Sequence, residues 1–222
     1  MKDFNVPMAL FDLVPVVLFF AASMLIGADI GKRMAVPNKV LYYFGIVLVT
    51  AAGAFKALYK LFYAAGVGEY EWMNAQFFTN QSVGFLLTGA ALLLSLKGSK
   101  KNGDGGSRHY ALLPTGVLVG MSVLGLAAMY AALCKYAAEL KKKSAVLFFV
   151  FSFILSLGMG CLSSRDFDSA KMNWIAQSVN SLAQLAYLIG ALILSIREGT
   201  EAPVTRTDSA YTENISVDST PL

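Results

Sequence analysis

Charge is scarce in this chain. Asp, Glu, Lys and Arg make up 14% of its 222 residues, and hydrophobic residues make up 56%. The single histidine, His109, lies in a glycine-rich basic loop with no cysteine or carboxylate at a spacing that would complete a metal site. The sequence also lacks a G-x-S-x-G elbow, an H-E-x-x-H helix and paired carboxylates within an apolar stretch. We therefore expect no catalytic residue, no metal ion and no cofactor, and we do not expect an enzyme.

Much of the sequence consists of long runs without a charged residue, and the mean hydropathy is +0.59. A helix needs about 20 apolar residues to cross the hydrocarbon core of a bilayer. The runs predict six transmembrane helices at about 9–28, 39–60, 72–96, 110–134, 144–164 and 173–196. The first is the weakest, because Asp12 lies inside it and Pro15 is expected to kink it. We expect an all-α integral membrane protein, in contact with membrane lipids and most simply placed in the plasma membrane.

The two halves of the chain resemble each other. At an offset of 100 residues Asn80 meets Asn180 and Ser95 meets Ser195, although richness in Leu, Ala and Gly can make any two spans look alike. An odd number of spans per unit would place the second unit upside down, which predicts two inverted three-helix repeats. The predicted segments are a first repeat at 1–97, a Gly/Lys-rich loop at 98–109, a second repeat at 110–196 and a disordered polar tail at 197–222.

The basic residues of the loops say little about partners. On an up-and-down path the 18 Lys and Arg residues divide equally between the two sides, so they set no orientation. Contact with anionic headgroups is enough to explain them, and no basic and aromatic platform predicts nucleic-acid binding. The sequence leaves open whether the chain forms a homo-oligomer.

Polar side chains recur on one face of the sixth predicted span. At about 100° per residue the spacing of four and three places them in a stripe about 80° wide. The third span carries further amides. The candidate solute-binding residues are Gln76, Asn80, Gln177, Asn180, Gln184 and Tyr187. Such groups should face protein or trapped water, so they act either as interhelical glue or as the lining of a small polar cavity.

Other features carry structural expectations. Asp12 could pair with Lys56, but independent extension of Lys56 and Lys60 to the headgroups is the favoured interpretation. Gly116 and Gly120 form a pattern of small residues four apart, which predicts close helix packing.

The predicted transmembrane helices carry no fixed charge near the middle of the membrane, which argues against a strongly ionic ligand. We therefore expect the protein to bind or transport a small neutral polar or amphipathic solute at the interface of its two halves. The rival expectation is a membrane scaffold or sensor whose amides are structural and whose tail binds a soluble partner. An intramembrane enzyme ranks third.

Overall fold

The computed structural model describes residues 5–96, 115–162 and 170–196. Every element in these ranges is a helix, as the sequence predicts. The predicted loop at 98–109 and the predicted tail at 197–222 lie outside them. The helices are α1 (Val6–Phe11), α2 (Leu13–Ile30), α3 (Val36–Ala64), α4 (Glu71–Leu96), α5 (Thr115–Glu139), α6 (Lys143–Leu162) and α7 (Ala170–Ser195).

Local chemistry explains the break between α1 and α2. Asp12 separates the two helices, and Pro15, three residues later, has no N–H to donate to the carbonyl of Phe11. At the start of α1, the Asn5 side chain accepts a hydrogen bond of 2.9 Å from the backbone N–H of Met8. The chain therefore begins with one kinked helical stretch.

Five helical segments are long and apolar enough to cross a membrane. They are Val6–Ile30, Val36–Ala64, Glu71–Leu96, Gly116–Glu139 and Lys171–Ser195. The described apolar stretch of α6, Lys143–Met159, is shorter. These lengths and compositions indicate an integral membrane protein.

The long helices form a closed circuit in chain order. Each packs on the next, and α7 returns to pack on α2. The packing is most extensive for α3 with α4 and α4 with α5, followed by α6 with α7 and α2 with α7. The circuit brings the last helix of the chain against the first long one.

Helices α4 and α5 run in the same direction. Near their starts, the Ser82 hydroxyl is 2.7 Å from the carbonyl oxygen of Leu118 and 2.8 Å from Ser122 Oγ. Farther along both helices, Gly89 lies against Gly125. Contacts that advance together along two helices mean parallel helices. Leu96 and Thr115 therefore lie at opposite ends of the bundle.

Helices α2 and α7 are also parallel. The rings of Phe11 and Trp174 lie 5.3 Å apart near the two starts, and those of Phe19 and Tyr187 lie 5.8 Å apart farther along. The second three helices consequently point the same way as the first three. The described helices do not confirm the predicted inverted second half, which assumed that α5 runs back alongside α4.

We call the two ends of the bundle the Asp12 end and the Arg33 end. The Asp12 end holds the starts of α2, α4, α5 and α7, and the Arg33 end holds the starts of α3 and α6. Trp72, near the start of α4, and Trp174 both lie at the Asp12 end, where both are exposed. This placement fits aromatic anchoring at one membrane surface.

Glycines allow the closest helix contacts, but Gly116 and Gly120 are not among them. A Cβ added at Gly84 would lie 2.8 Å from the carbonyl oxygen of Gly45, so α3 and α4 touch backbone to backbone. Gly116 and Gly120, by contrast, face open space. The prediction of close packing there is wrong, because spacing alone does not tell which way a helix face points.

Candidate functional site

A cavity of about 90 Å³ lies where α7 meets the first three long helices. Apolar and aromatic side chains form most of its wall, and four polar side chains enter it. It is lined by Pro15, Val16, Phe19, Val49, Thr50, Gly53, Phe77, Gln81, Phe85, Asn180 and Gln184. The site therefore joins residues from both ends of the chain.

Two of the polar groups that line the cavity have an oxygen atom without a hydrogen-bond partner. Thr50 Oγ1 on α3 and Gln184 Oε1 on α7 are both buried and make no hydrogen bond among the described residues. On α7, Gln177 Oε1 and Ser181 Oγ are also buried and make no hydrogen bond among the described residues. A buried polar atom left unpaired costs about 1–3 kcal/mol, so such a group usually pairs with water or a ligand.

Serine and tyrosine hydroxyls supply much of the hydrogen bonding between the helices. Ser152 on α6 donates to the carbonyl oxygen of Ala183 on α7 at 2.7 Å, and its Oγ lies 2.5 Å from Tyr130 Oη on α5. The amide oxygens of Gln177 and Gln184 make no such bond. Interhelical hydrogen bonding therefore does not explain why these two oxygens are buried.

An aromatic cluster closes the cavity toward the Arg33 end. Phe19 lies edge-on to Phe85, with ring centroids 6.0 Å apart, and stacks on Tyr187 at 5.8 Å. Tyr187 is fully buried, and its hydroxyl is 3.4 Å from Ser23 Oγ. The stacked rings leave Tyr187 outside the cavity wall.

A buried ion pair lies beyond the cavity, toward the Asp12 end. Lys60 Nζ is 2.6 Å from Asp12 Oδ2 and donates to Asn173 Oδ1 at 3.0 Å. Asp12 and Lys60 are each 4% exposed. The ammonium of Lys56, one turn earlier on α3, lies 4.0 Å from the centre of the Phe77 ring.

This geometry corrects two expectations about charge. Lys60 does not extend to the headgroups, and Lys60 rather than Lys56 forms the ion pair with Asp12. The two lysines lie four residues apart on one helix face, so the sequence could not distinguish them as partners. Asn173, the first amide of the stripe, is the group that joins α7 to the pair.

The predicted site residues have different positions. Asn180 and Gln184 line the cavity, and Gln177 is buried at 5% exposure. On α4, Gln76 is exposed, and Asn80 is half-buried but not part of the lining.

The prediction did not include Thr50 or Gln81, both of which line the cavity. The hydropathy of α3 gave no signal for Thr50, whereas Gln81 belongs to the same amide-rich stretch as Asn80. Adjacent helical residues point about 100° apart, so only the rotation of α4 selects between them.

Among the described ranges, no group of three His, Cys, Asp or Glu side chains is arranged to hold a metal ion. The helices indicate a multi-pass membrane protein, and a mostly apolar cavity with four polar side chains lies between them. Compared with known proteins, the chain matches no family model, no curated protein and no solved structure.

Proposed function

We propose that this membrane protein binds, and carries across the membrane, a small neutral polar solute in the cavity between α7 and the first three long helices. The observation that carries the proposal is the pair of unpartnered oxygens, Thr50 Oγ1 and Gln184 Oε1, in one chamber. Two polar groups on different helices that both lack a hydrogen bond can be satisfied together by one bound molecule. Aromatic walls with a few convergent polar groups are typical of small-molecule sites.

The arrangement of the helices supports a transporter over a rigid scaffold. We count α6 as a sixth span and treat helices α2 to α4 and α5 to α7 as two units repeated in the same orientation. A two-fold axis along the bundle would carry α2 onto α5, α3 onto α6 and α4 onto α7, and it would preserve both their directions and their order. Parallel repeats of this kind occur in transporters, which hold their substrate where the repeats meet.

The charges supply an orientation once the helix directions are known. Of the described Lys and Arg residues, three lie at the Asp12 end and seven at the Arg33 end, the latter being Lys32, Arg33, Lys39, Lys135, Lys141, Lys142 and Lys143. Cytoplasmic ends of transmembrane helices carry an excess of Lys and Arg. We therefore assign the Arg33 end to the cytoplasm. Placement in the plasma membrane is a separate part of the proposal.

Cysteine accessibility tests whether water reaches the cavity. In a background with both native cysteines replaced by serine, Gln184→Cys should react with a membrane-impermeant thiol reagent. The matched control is Leu182→Cys on the same helix, because Leu182 is 47% exposed and does not line the cavity. In lipid it should stay unlabelled, since thiolates do not form in hydrocarbon.

The outcomes separate the proposal from its rival. Labelling at Gln184→Cys but not at Leu182→Cys supports a solute pathway, and the reagent side that labels faster identifies the open side. Absence of labelling at Gln184→Cys from either side, in protein shown to be folded and inserted, would mean a dry interior. That result would overturn the proposal in favour of a scaffold.

A further inference from the structure

The atoms that lack partners restrict what the cavity binds. Gln184 Oε1 is a carbonyl oxygen, which can only accept a hydrogen bond, and Thr50 Oγ1 lies across the cavity on another helix. A ligand that satisfies the first must bring an N–H or O–H group. The Thr50 hydroxyl can donate or accept a hydrogen bond, so a ligand that satisfies both groups needs two polar groups, at least one of them a donor.

The surrounding charges restrict the ligand further. Asp12 and Lys60 lie within 2.6 Å of each other, so their charges largely offset one another, and Lys56 lies over Phe77. Within the described part of the chain, no charged side chain lines the chamber itself. A charged ligand would lose its hydration without gaining an opposite charge in contact, which is costly away from water.

The size of the cavity suits a small ligand. A water molecule needs about 10–15 Å³ of such space, so a cavity of about 90 Å³ holds several waters or one small solute. Phe19, Phe77 and Phe85 would cover its less polar faces.

We infer that the cavity takes a small neutral solute with at least one hydrogen-bond donor and a second polar group, in the chemical class of urea and short polyols such as glycerol. This inference rests on the proposed function and specifies its ligand. Gln184 Oε1 receives a donor and the Thr50 hydroxyl donates or accepts, whereas a charged molecule of the same shape meets no opposite charge in the described lining.

Protection from thiol labelling tests the inference. The reporter is Asn180→Cys, which lines the cavity and leaves Thr50 and Gln184 intact. The full chain in liposomes is labelled with and without urea, glycerol, guanidinium or acetate, at equal concentrations that do not unfold it. Urea matches guanidinium in shape, so this pair compares a neutral ligand with a cation.

We expect urea or glycerol to slow labelling at least about fivefold, and guanidinium and acetate to leave the rate unchanged. Adding Gln184→Leu or Thr50→Val should weaken protection by about fivefold each, the usual effect of one lost hydrogen bond. Gln76→Leu is the matched control, because Gln76 is exposed on α4 and should leave protection intact.

Different labelling results would refute the inferred ligand class and the proposed function. Labelling that no neutral solute slows, or that guanidinium slows as strongly as urea, would overturn the inference and leave a water-filled site in place. No labelling of Asn180→Cys at all would overturn the proposed function itself. Protection that survives both Gln184→Leu and Thr50→Val would show that these oxygens do not receive the ligand.

Discussion

Removing the carboxylate of Asp12 should destabilise the protein strongly. Lys60 has its ammonium 2.6 Å from Asp12 Oδ2 and is 4% exposed, so Asp12→Asn leaves a buried cation that retains Asn173 but has lost its ion-pair partner. Breaking a buried pair by removing one partner costs about 3–5 kcal/mol. We expect a loss at the lower end, about 3 kcal/mol or about a hundredfold in the unfolding equilibrium, because the Asn173 contact remains.

The double variant Asp12→Asn/Lys60→Met separates the ion pair from the packing around it. It contains neither charge of the pair, so it should be more stable than Asp12→Asn alone, and its loss should be smaller than the sum of the two single losses by about 3 kcal/mol. Lys171→Met is the control. Lys171 is exposed on α7, so this change should stay within about 0.5 kcal/mol.

Reversible unfolding in mixed micelles gives the measurement. Fluorescence is a suitable signal, because Trp174 packs on Phe11 beside the ion pair. Single losses that simply add in the double variant would mean that Asp12 and Lys60 are not coupled. The placement of the ion pair inside the bundle would then be wrong.

Three further predictions concern the bundle. Arg33→Cys and Lys141→Cys, each in a cysteine-free background, should react with an impermeant reagent from the same side of the membrane, since both residues lie at the Arg33 end. Gly84→Ala should cost about 1–3 kcal/mol in unfolding free energy, because its Cβ would lie 2.6 Å from Val49 Cγ2, whereas Gly120→Ala, which faces open space, should cost nothing measurable. Ser152→Ala removes bonds to α5 and α7 and should lower the unfolding free energy by about 1–2 kcal/mol; an unchanged value would contradict the hydrogen bonds described.

The labelling of Arg33→Cys and Lys141→Cys tests the parallel direction of α4 and α5, which the charged sequence between these helices does not favour. Parallel α4 and α5 place Leu96 and Thr115 at opposite ends of the bundle, with the sequence segment 97–114 between them. That segment contains Lys97, Lys100, Lys101, Asp104 and Arg108, and charges of this kind are costly in hydrocarbon. Labelling from opposite sides would favour an up-and-down path and refute the parallel arrangement.

Hydropathy predicted where the helices lie but not how they are directed. The predicted spans 72–96 and 173–196 match α4 and α7 to within three residues at each end, because a charge-free run of fixed length is a strong signal. The direction of α5 was an assumption about the preceding segment. Long-range contacts such as that of Ser82 with Ser122 establish it, and no local pattern contains that information.

For the candidate site too, local sequence patterns predicted one part and long-range packing decided the rest. The face shared by Asn180 and Gln184 follows from helical periodicity, so α7 could be predicted as the helix that lines the cavity. Its apolar partners could not, since Phe19 and Phe85 look like any membrane-facing aromatic residues until the packing is known. Tyr187 belongs to the same stripe but lies one turn beyond the cavity, among the stacked rings.

The ion pair between Asp12 and Lys60 has a consequence for synthesis. Membrane proteins are made from the N-terminus onward, and α2 and α3 form one helical hairpin near that end. The two charges can therefore meet within the first hairpin, long before α7 emerges and brings Asn173. Each charge would alone oppose insertion by about 2.5–3.5 kcal/mol, so the early pairing makes the hairpin easier to insert and leaves α7 to complete the assembly last.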